Sequence, residues 1–241
     1  MIKSLSINNI SHEFAQNVIL QDLSLEIEHG SIHALIGTTG AGKSLLLRLI
    51  SGLTDLQNGS IETDKQKLSF VFQNNSFLPW LTIEKNLELS TKLKTSEMIM
   101  LLRKFNLLDY LKMYPKHLSG GTIQKFNLLR AFLNKSEIVL LDEPFSYLDI
   151  IQREDLYNAA LDLWKEYRPT ILMVTHDIDE ALYLSHKISF LSKKEKRIKM
   201  TLSIGENQKS LPITNLVEER LKKDYLNNFK ILRDLLAEDV R

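Results

Sequence analysis

The sequence predicts an α/β fold with a mostly parallel sheet, an antiparallel β unit at the N-terminus and a helical insertion. Apolar runs of strand length alternate with helical patterns, which implies crossover connections between parallel strands. The runs at residues 138–141 and 170–174 are continuous and aliphatic, as is typical of central parallel strands. A strand at residues 31–36 leads directly into a glycine-rich loop and the apolar start of a helix at residues 45–50.

The glycine-rich loop matches the phosphate-binding pattern G-x-x-x-x-G-K-[ST]. It reads Gly37-Thr38-Thr39-Gly40-Ala41-Gly42-Lys43-Ser44. Its glycines let the backbone turn so that successive N–H groups converge on phosphate oxygens. Lys43 can reach the β- and γ-phosphates, and the Ser44 hydroxyl can ligate Mg²⁺. Because the helix that follows directs its dipole at an anion, the loop predicts nucleotide binding.

Composition excludes several other classes of function. The chain has 241 residues, with 31 basic and 30 acidic ones for a formal net charge of +1, so no global field favours nucleic acid. The absence of cysteine excludes disulfides and cysteine catalysis, and suits a reducing compartment. We find no secretory signal and no apolar run of the roughly 18 residues that span a bilayer. We therefore expect a cytosolic protein, unless a partner holds it at a membrane.

The first half of the chain divides into a β-rich and a helical part. Residues 2–14 and 18–27 read as two strands joined through residues 15–17, which indicates an antiparallel pair. Residues 67–72 read as another strand that ends at Gln73. From about residue 74 to 135 the pattern is helical and poor in strands, so we expect a helical subdomain here within a single domain of residues 1–241.

Two segments of the second half have competing interpretations. The basic residues of 192–199 could form a nucleic-acid patch, but a solvated turn between strands 188–191 and 198–204 fits the neutral total charge better. The tail, about residues 205–241, predicts an amphipathic helix or helix pair. Its apolar face could pack on the same domain or receive a partner. The apolar residues at steps of four and three are Val217, Leu221, Tyr225, Phe229, Leu232 and Leu236.

Two further motifs indicate hydrolysis. Asp142 and Glu143 follow the strand at residues 138–141, where Asp142 can orient Mg²⁺ and Glu143 can act as general base on a water. Ser119 is a natural N-cap, and the next residues, Gly120 and Gly121, leave backbone N–H groups uncovered at a second anion-receptive helix start. Either motif alone is weak, and an ordinary helix cap would explain the second one.

Taken together, these motifs resemble the ATP-binding cassette (ABC) ATPase family from Phe14 to about residue 198. The resemblance implies a P-loop ATPase core whose loop at residues 37–44 is the Walker A motif, with Leu118–Gly121 as the signature. It also implies roles for individual side chains. These are adenine stacking by Phe14, sensing of Mg²⁺ and water by Gln73, Mg²⁺ binding through Asp142, catalysis by Glu143, a dimer-facing loop at residues 146–149, and γ-phosphate contact by His176.

In this family two subunits enclose two ATP molecules, and the signature of one subunit contacts the γ-phosphate held by the other. The resemblance therefore implies ATP and Mg²⁺ as cofactors and an ATP-induced homodimer. Leu45 departs from the family pattern, since Thr or Ser often supports the α-phosphate there. The loss of that hydroxyl is expected to remove one hydrogen bond, worth about 1 kcal/mol.

The segment from Gln73 through Leu78-Pro79-Trp80 resembles an importer branch for nitrate, sulfonate, taurine, bicarbonate and thiamine-precursor pyrimidines. This implies a transmembrane permease partner, an indirect extracytoplasmic solute-binding protein, no nucleic acid, and a peripheral position on the cytoplasmic face of the cell membrane. Trp80 can either fill a groove of the permease or cap its own core. A soluble ATP-switched clamp or a regulatory cassette remains the alternative function.

Overall fold

The computed structural model describes residues 3–63, 67–73, 76–91, 95–146, 148, 150–204 and 222–240. Its strands are β1 (Lys3–Phe14), β2 (Asn17–Glu28), β3 (Ile32–Ile36), β4 (Asn58–Glu62), β5 (Leu68–Val71), β6 (Ile138–Asp142), β7 (Thr170–Thr175), β8 (Lys187–Leu191) and β9 (Ile198–Ser203). Its α-helices are α1 (Lys43–Ser51), α2 (Ile83–Ser90), α3 (Thr95–Lys104), α4 (Gly120–Leu133), α5 (Ile150–Tyr167), α6 (Ile178–Leu184) and α7 (Lys223–Val240).

The strands form two sheets. The larger sheet has six strands in the order β5-β6-β7-β3-β8-β9, and its pairings are parallel except for β8 with β9. The smaller sheet is antiparallel, with the order β2-β1-β4. The predicted α/β class, the mostly parallel sheet and the N-terminal antiparallel pair are therefore confirmed, whereas β4 was not predicted from the sequence.

The inner strands of the larger sheet, β6, β7, β3 and β8, are buried on both faces, and each divides its side chains between them. Val139 and Leu141 of β6 belong to the apolar cluster that includes α4, α5, α6 and α7. Ile138 and Leu140 belong to the cluster that includes α1 and the smaller sheet. Alternate residues of a strand point to opposite faces. A central strand must therefore be apolar at every position, which is the pattern that marked residues 138–141 in the sequence.

Between β5 and β6 the described residues form only helices and turns, as the sequence predicts. The apolar faces of α2, α3 and α4 contribute Leu87, Leu102 and Phe126 to the cluster on one face of the larger sheet. Asn86 is buried and stabilises the turn before α2, because its side chain exchanges hydrogen bonds with the backbone N–H and C=O of Leu78. This turn carries Trp80, which is 69% exposed and does not cap the core.

The predicted turn at residues 192–197 connects β8 and β9, and the C-terminal amphipathic pattern forms α7. Tyr225 and Leu232 of α7 are buried in the core, so this helix packs on its own domain. Val217 and Leu221 of the predicted pattern lie outside the described residues. Tyr147 and Asp149 of the predicted dimer-facing loop do so as well.

Candidate nucleotide-binding site

One edge of the larger sheet collects most of the predicted site residues. The strands β5, β6, β7 and β3 are consecutive neighbours in the sheet and run parallel. Their carboxyl ends therefore lie side by side, as ligand sites in open α/β sheets do. Gln73 comes shortly after β5, Glu143 follows β6, His176 follows β7, and the loop at residues 37–44 follows β3.

The loop reaches α1 through a glycine that no other residue can replace without strain. Gly42 has φ +98° and is the N-cap of α1, with no side chain capping the helix. A Cβ at this position would also lie 2.8 Å from Leu20 Cδ2. Because no side chain occupies the first-turn N–H groups of α1, the helix start is free to bind an anion.

Lys43 lies inside this loop and is 6% exposed. Its ammonium donates hydrogen bonds to Gly37 O at 2.7 Å and Thr38 O at 3.1 Å. Burial lowers the pKa of Lys43, although the nearby carboxylates of Glu143 and Asp142 oppose this shift. The carboxylates of Glu143 and Asp142 offset the burial of the Lys43 ammonium only in part, and a bound phosphate would stabilise its positive charge further.

Ser44 and Asp142 form a pair behind the loop. The Ser44 hydroxyl donates to Asp142 Oδ1 at 2.8 Å. Burial raises the pKa of Asp142, opposed by the Ser44 hydrogen bond and increased by the charge of Glu143. A hydroxyl beside a desolvated carboxylate is the oxygen donor set that Mg²⁺ takes from proteins when phosphates supply further ligands. Among the described residues no three His, Cys, Asp or Glu side chains gather around a potential metal.

Glu143 is held in an unusual conformation at the centre of the cleft. Its backbone has φ +45°, a left-handed value that is uncommon for a residue with a side chain. Its Oε2 accepts hydrogen bonds from Gln73 Nε2 at 3.0 Å and Ser146 Oγ at 3.1 Å. Its Oε1 lies 3.1 Å from His176 Nδ1. Strained backbone often marks functional sites, and here it accompanies a carboxylate that other side chains orient.

These residues line a cleft of about 720 Å³. Of the predicted residues, the cleft lining contains Thr39, Gly40, Gly42, Lys43, Ser44, Leu45, Gln73, Glu143 and His176. Gly37, Thr38, Ala41 and Asp142 are outside this lining, although Gly37, Thr38 and Asp142 bond to Lys43 or Ser44. A volume of this size is in the range of small-molecule sites.

The predicted signature does not belong to this cleft. Ser119 is the N-cap of α4 and accepts a hydrogen bond from Thr122 N at 3.2 Å, as its sequence predicts. None of Ser119, Gly120 and Gly121 lines the cleft, and a Cβ on Gly120 would find no atom within 4 Å. The chain therefore offers a second, open helix start away from its own phosphate loop.

Phe14 also lies outside the cleft lining. It ends β1 opposite Asn17 and is 75% exposed, so it is not a core residue. Ile19, near the start of β2, lines the cleft instead. The exposed Phe14 ring on the β1–β2 hairpin is therefore accessible for stacking on an adenine base.

Arg153 and Glu180 line the cleft, but they were not among the site residues predicted from the sequence. Arg153 pairs with Asp177 at 3.0 Å, and nothing distinguishes it in sequence from a surface arginine of an amphipathic helix. Glu180 is 4% exposed, and burial, followed by the charge of Asp177, raises its pKa well above the usual range. The spacing Asp177-x-x-Glu180 matches a capping box, which could have drawn attention to this carboxyl.

Comparison with known proteins places this cleft in context. The family model described as ABC transporter matches residues 20–146. An aliphatic sulfonates import ATP-binding protein, SsuB, of Bacillus subtilis is 36% identical over 206 residues, which cover 80% of each chain. A Bacillus cereus protein of the same description is 33% identical, with 94% of this chain and 96% of the relative covered.

Solved structures agree on the fold. A structure described as the ATP-binding subunit of an ABC transporter has a TM-score of 0.74 and 25% identity, with 91% of this chain and all of that chain covered. A dimeric ATP-binding cassette bound to ADP and Pi has a TM-score of 0.72 and 24% identity, covering 83% of this chain and 99% of that one. Within the described residues, no helix has the length and apolar character to cross a bilayer.

Proposed function

The chain belongs to the ABC family of transporter ATPases, and on this premise we propose that it hydrolyses ATP to energise a membrane importer for a small solute. The observation that carries the proposal is the convergence of Lys43, Glu143 and His176 on one cleft at the carboxyl edge of the sheet. Lys43 and His176 are 133 positions apart in the chain, and their meeting beside Glu143 supports a role in phosphoryl transfer to water.

The phosphate loop binds and orients the triphosphate in this proposal. Backbone N–H groups of residues 37–44 and the start of α1 hold the phosphate oxygens, and Lys43 exchanges its carbonyl partners for phosphate. Ser44 and Asp142 are the residues that would hold Mg²⁺, with Gln73 beside them. When bound, the ion would neutralise charge on the β- and γ-phosphates.

Glu143 is proposed as the general base for the attacking water. It accepts hydrogen bonds from Gln73 and Ser146 on one oxygen, which leaves Oε1 and the nearby His176 to position the water. His176 is half exposed and can reach the γ-phosphate from this side. A carboxylate that neighbouring donors orient loses little freedom when it takes up the proton.

A second copy of the chain is proposed to complete each site. The helix start at Ser119–Gly121 is absent from the cleft of its own chain. Although Ser119 caps the N–H of Thr122, Gly120 has open space around it through which an anion could approach the helix start. A head-to-tail pair with two-fold symmetry would place the helix start of each copy over the phosphate loop of the other. In this arrangement residues 1–241 act as one nucleotide-binding domain, with the helical subdomain of about residues 74–135 carrying the signature and a helical tail at about 205–241.

The importer proposal draws on the relatives and on the exposed turn at Trp80. The relatives are described as import proteins for aliphatic sulfonates, so this solute class is the first candidate. The chain would then act at the cytoplasmic face of the membrane, bound to a permease that receives solute from an extracytoplasmic binding protein. Such a subunit needs a docking surface rather than a membrane span.

The importer proposal can be tested by reconstitution. We would place the chain and the permease encoded beside its gene in lipid vesicles and measure ATP hydrolysis with the cognate binding protein. Binding protein loaded with ethanesulfonate is expected to stimulate hydrolysis. Stimulation by nitrate or a pyrimidine alone would overturn the sulfonate candidate, whereas stimulation by taurine, itself a sulfonate, would support it. No response to any of these solutes would refute coupling to import.

Replacement of Trp80 by alanine is expected to abolish most transport while leaving ATP hydrolysis by the isolated chain unchanged. An exposed Trp on a turn that Asn86 holds rigid is the kind of side chain that contributes about 2 kcal/mol or more to an interface. Solute uptake should be measured in the vesicles, and the ATPase rate should be measured on the isolated chain. Leu53→Ala, at an equally exposed apolar residue after α1, serves as the control. Unchanged uptake by the Trp80 variant would refute the docking role.

A further inference from the structure

The last turn of α7 carries a buried carboxylate that contacts the phosphate loop. Asp239 is 7% exposed, whereas its neighbour Val240 is 76% exposed. Its Oδ2 accepts hydrogen bonds from Thr38 Oγ1 and Lys193 N, both at 2.9 Å. Its Oδ1 accepts from Ser192 Oγ at 2.6 Å and Lys194 N at 3.3 Å. Both oxygens are therefore saturated by donors from two other segments.

The turn at residues 192–194 packs against the phosphate loop. A Cβ on Gly37 would lie 2.6 Å from Leu191 O, so the start of the loop packs directly on the end of β8. A Cβ on Gly40 would lie 3.6 Å from Lys193 Nζ, which places that ammonium beside the tip of the loop. Asp239 therefore bonds to both the loop and the turn that supports it.

The other end of α7 is fixed near the opposite side of the cleft. The Tyr225 hydroxyl donates to the carboxylate of Asp179 in α6, and α6 begins two residues after His176. Tyr225 and Leu232 are buried in the core between these contacts. With a rise of about 1.5 Å per residue, α7 bridges about 21 Å between Tyr225, which contacts α6, and Asp239, which contacts the phosphate loop.

We propose that Asp239 is a positioning residue for the phosphate loop, which it holds in the conformation that binds nucleotide through its contact with Thr38. This inference rests on the proposed role of the loop in ATP binding. The loop is rich in glycine, and its ordering would otherwise reduce the free energy of nucleotide binding. A contact that orders the loop beforehand raises affinity without touching the ligand.

The charge of Asp239 does not argue against this role. Burial alone would raise the pKa of Asp239, but the hydrogen bonds from Ser192 and from the backbone of Lys193 hold it below the usual range, so the group stays ionised near neutral pH. The backbone N–H groups of Lys193 and Lys194 stabilise the charge by donating hydrogen bonds to the carboxylate. The effect of Asp239 on an anion in the loop is therefore expected to come from geometry more than from its field.

The test is a double-mutant cycle on nucleotide affinity. The full chain carrying Asp239→Asn, Thr38→Val or both would be titrated with MgADP by calorimetry, with melting temperatures measured in parallel. Asparagine keeps the shape but turns one acceptor into an NH₂ group that faces two donors. Each single variant is expected to raise Kd about tenfold, with the double variant no weaker than either, because both remove the same coupling.

Glu238→Gln is the matched control. Glu238 is the preceding residue of α7, pairs with Lys199 rather than with the loop, and loses the same charge on substitution. The control is expected to keep the wild-type Kd, and an equal rise in Kd would show that charge rather than contact is responsible. Should Asp239→Asn fail to fold, Thr38→Val still tests the contact, since it leaves the other donors to Asp239 in place.

Two results would overturn the inference while leaving the proposed function intact. One is a wild-type Kd in both single variants, even with a lowered melting temperature, because a purely structural contact would behave in this way. The other is an additive rise in the double variant, which would show that Thr38 and Asp239 act independently. By contrast, a wild-type chain that binds no MgADP, or that binds it equally well as Lys43→Ala, would refute the nucleotide site itself.

Discussion

Replacement of Glu143 by glutamine is expected to lower the rate of ATP hydrolysis by about 10²- to 10⁴-fold, the usual contribution of a general base. The reason is that an amide has nearly the shape of the carboxylate but cannot take a proton from water. Its oxygen can still accept from Gln73 and Ser146, and its NH₂ group would take the place of Oε1 beside His176 Nδ1. MgATP binding should therefore persist while turnover stops.

A variant that binds ATP without hydrolysing it should also accumulate the closed dimer. Gel filtration with and without MgATP measures this shift, and ATPase assays measure the loss of turnover. Glu137→Gln is the matched control, since Glu137 precedes β6 whereas Glu143 follows it, and Glu137 pairs with exposed Lys67 at 2.6 Å. A Glu143 variant that stays monomeric with MgATP, even with its permease present, would contradict the two-copy site.

Replacement of Lys43 by alanine is expected to weaken MgATP binding by about 10²-fold, since a hydrogen bond to a charged group contributes about 1.5–3 kcal/mol. Lys43 is the buried cation of the loop, and its ammonium lies between the Gly37 and Thr38 carbonyls. Its removal leaves the phosphates without that charge. Equilibrium binding of MgATP at millimolar concentrations measures the effect.

A lysine in a purely structural role provides the comparison for this variant. Lys187 lies at the opposite edge of the sheet, at the start of β8, and pairs with Glu28 at 2.6 Å. Lys187→Ala is expected to lower the melting temperature and leave nucleotide affinity unchanged. If Lys43→Ala retained wild-type affinity, the phosphate-loop assignment on which the proposed function depends would be wrong.

The sequence predicted those features that depend on a few neighbouring residues. Gly42 predicted the turn into α1, because only glycine adopts its backbone conformation without strain and without a clash with Leu20. The aliphatic run at residues 138–141 predicted β6, because a strand buried on both faces is apolar along its length. Ser119 predicted the start of α4, because its side chain caps the N-terminus of that helix. Each signal is complete within one turn or one strand.

Other features depended on partners that sequence spacing does not reveal. β4 carries mostly exposed residues and forms by pairing with β1, so its own composition gave no strand signal. Arg153 of α5 and Glu180 of α6 line the cleft through the packing of their helices, and the capping-box spacing of Asp177 and Glu180 indicates a helix start but not a cleft residue.

The sequence by itself determined the class of fold, the phosphate loop and the strand ends that carry Asp142, Glu143 and His176, because sterics and hydrophobic periodicity act over short stretches of chain. The tertiary structure alone decided that Thr38 meets Asp239, 201 residues further along the chain. Such a contact depends on the packing of α7 across the core. No periodicity encodes it, since a buried carboxylate and its donors need only be close in space.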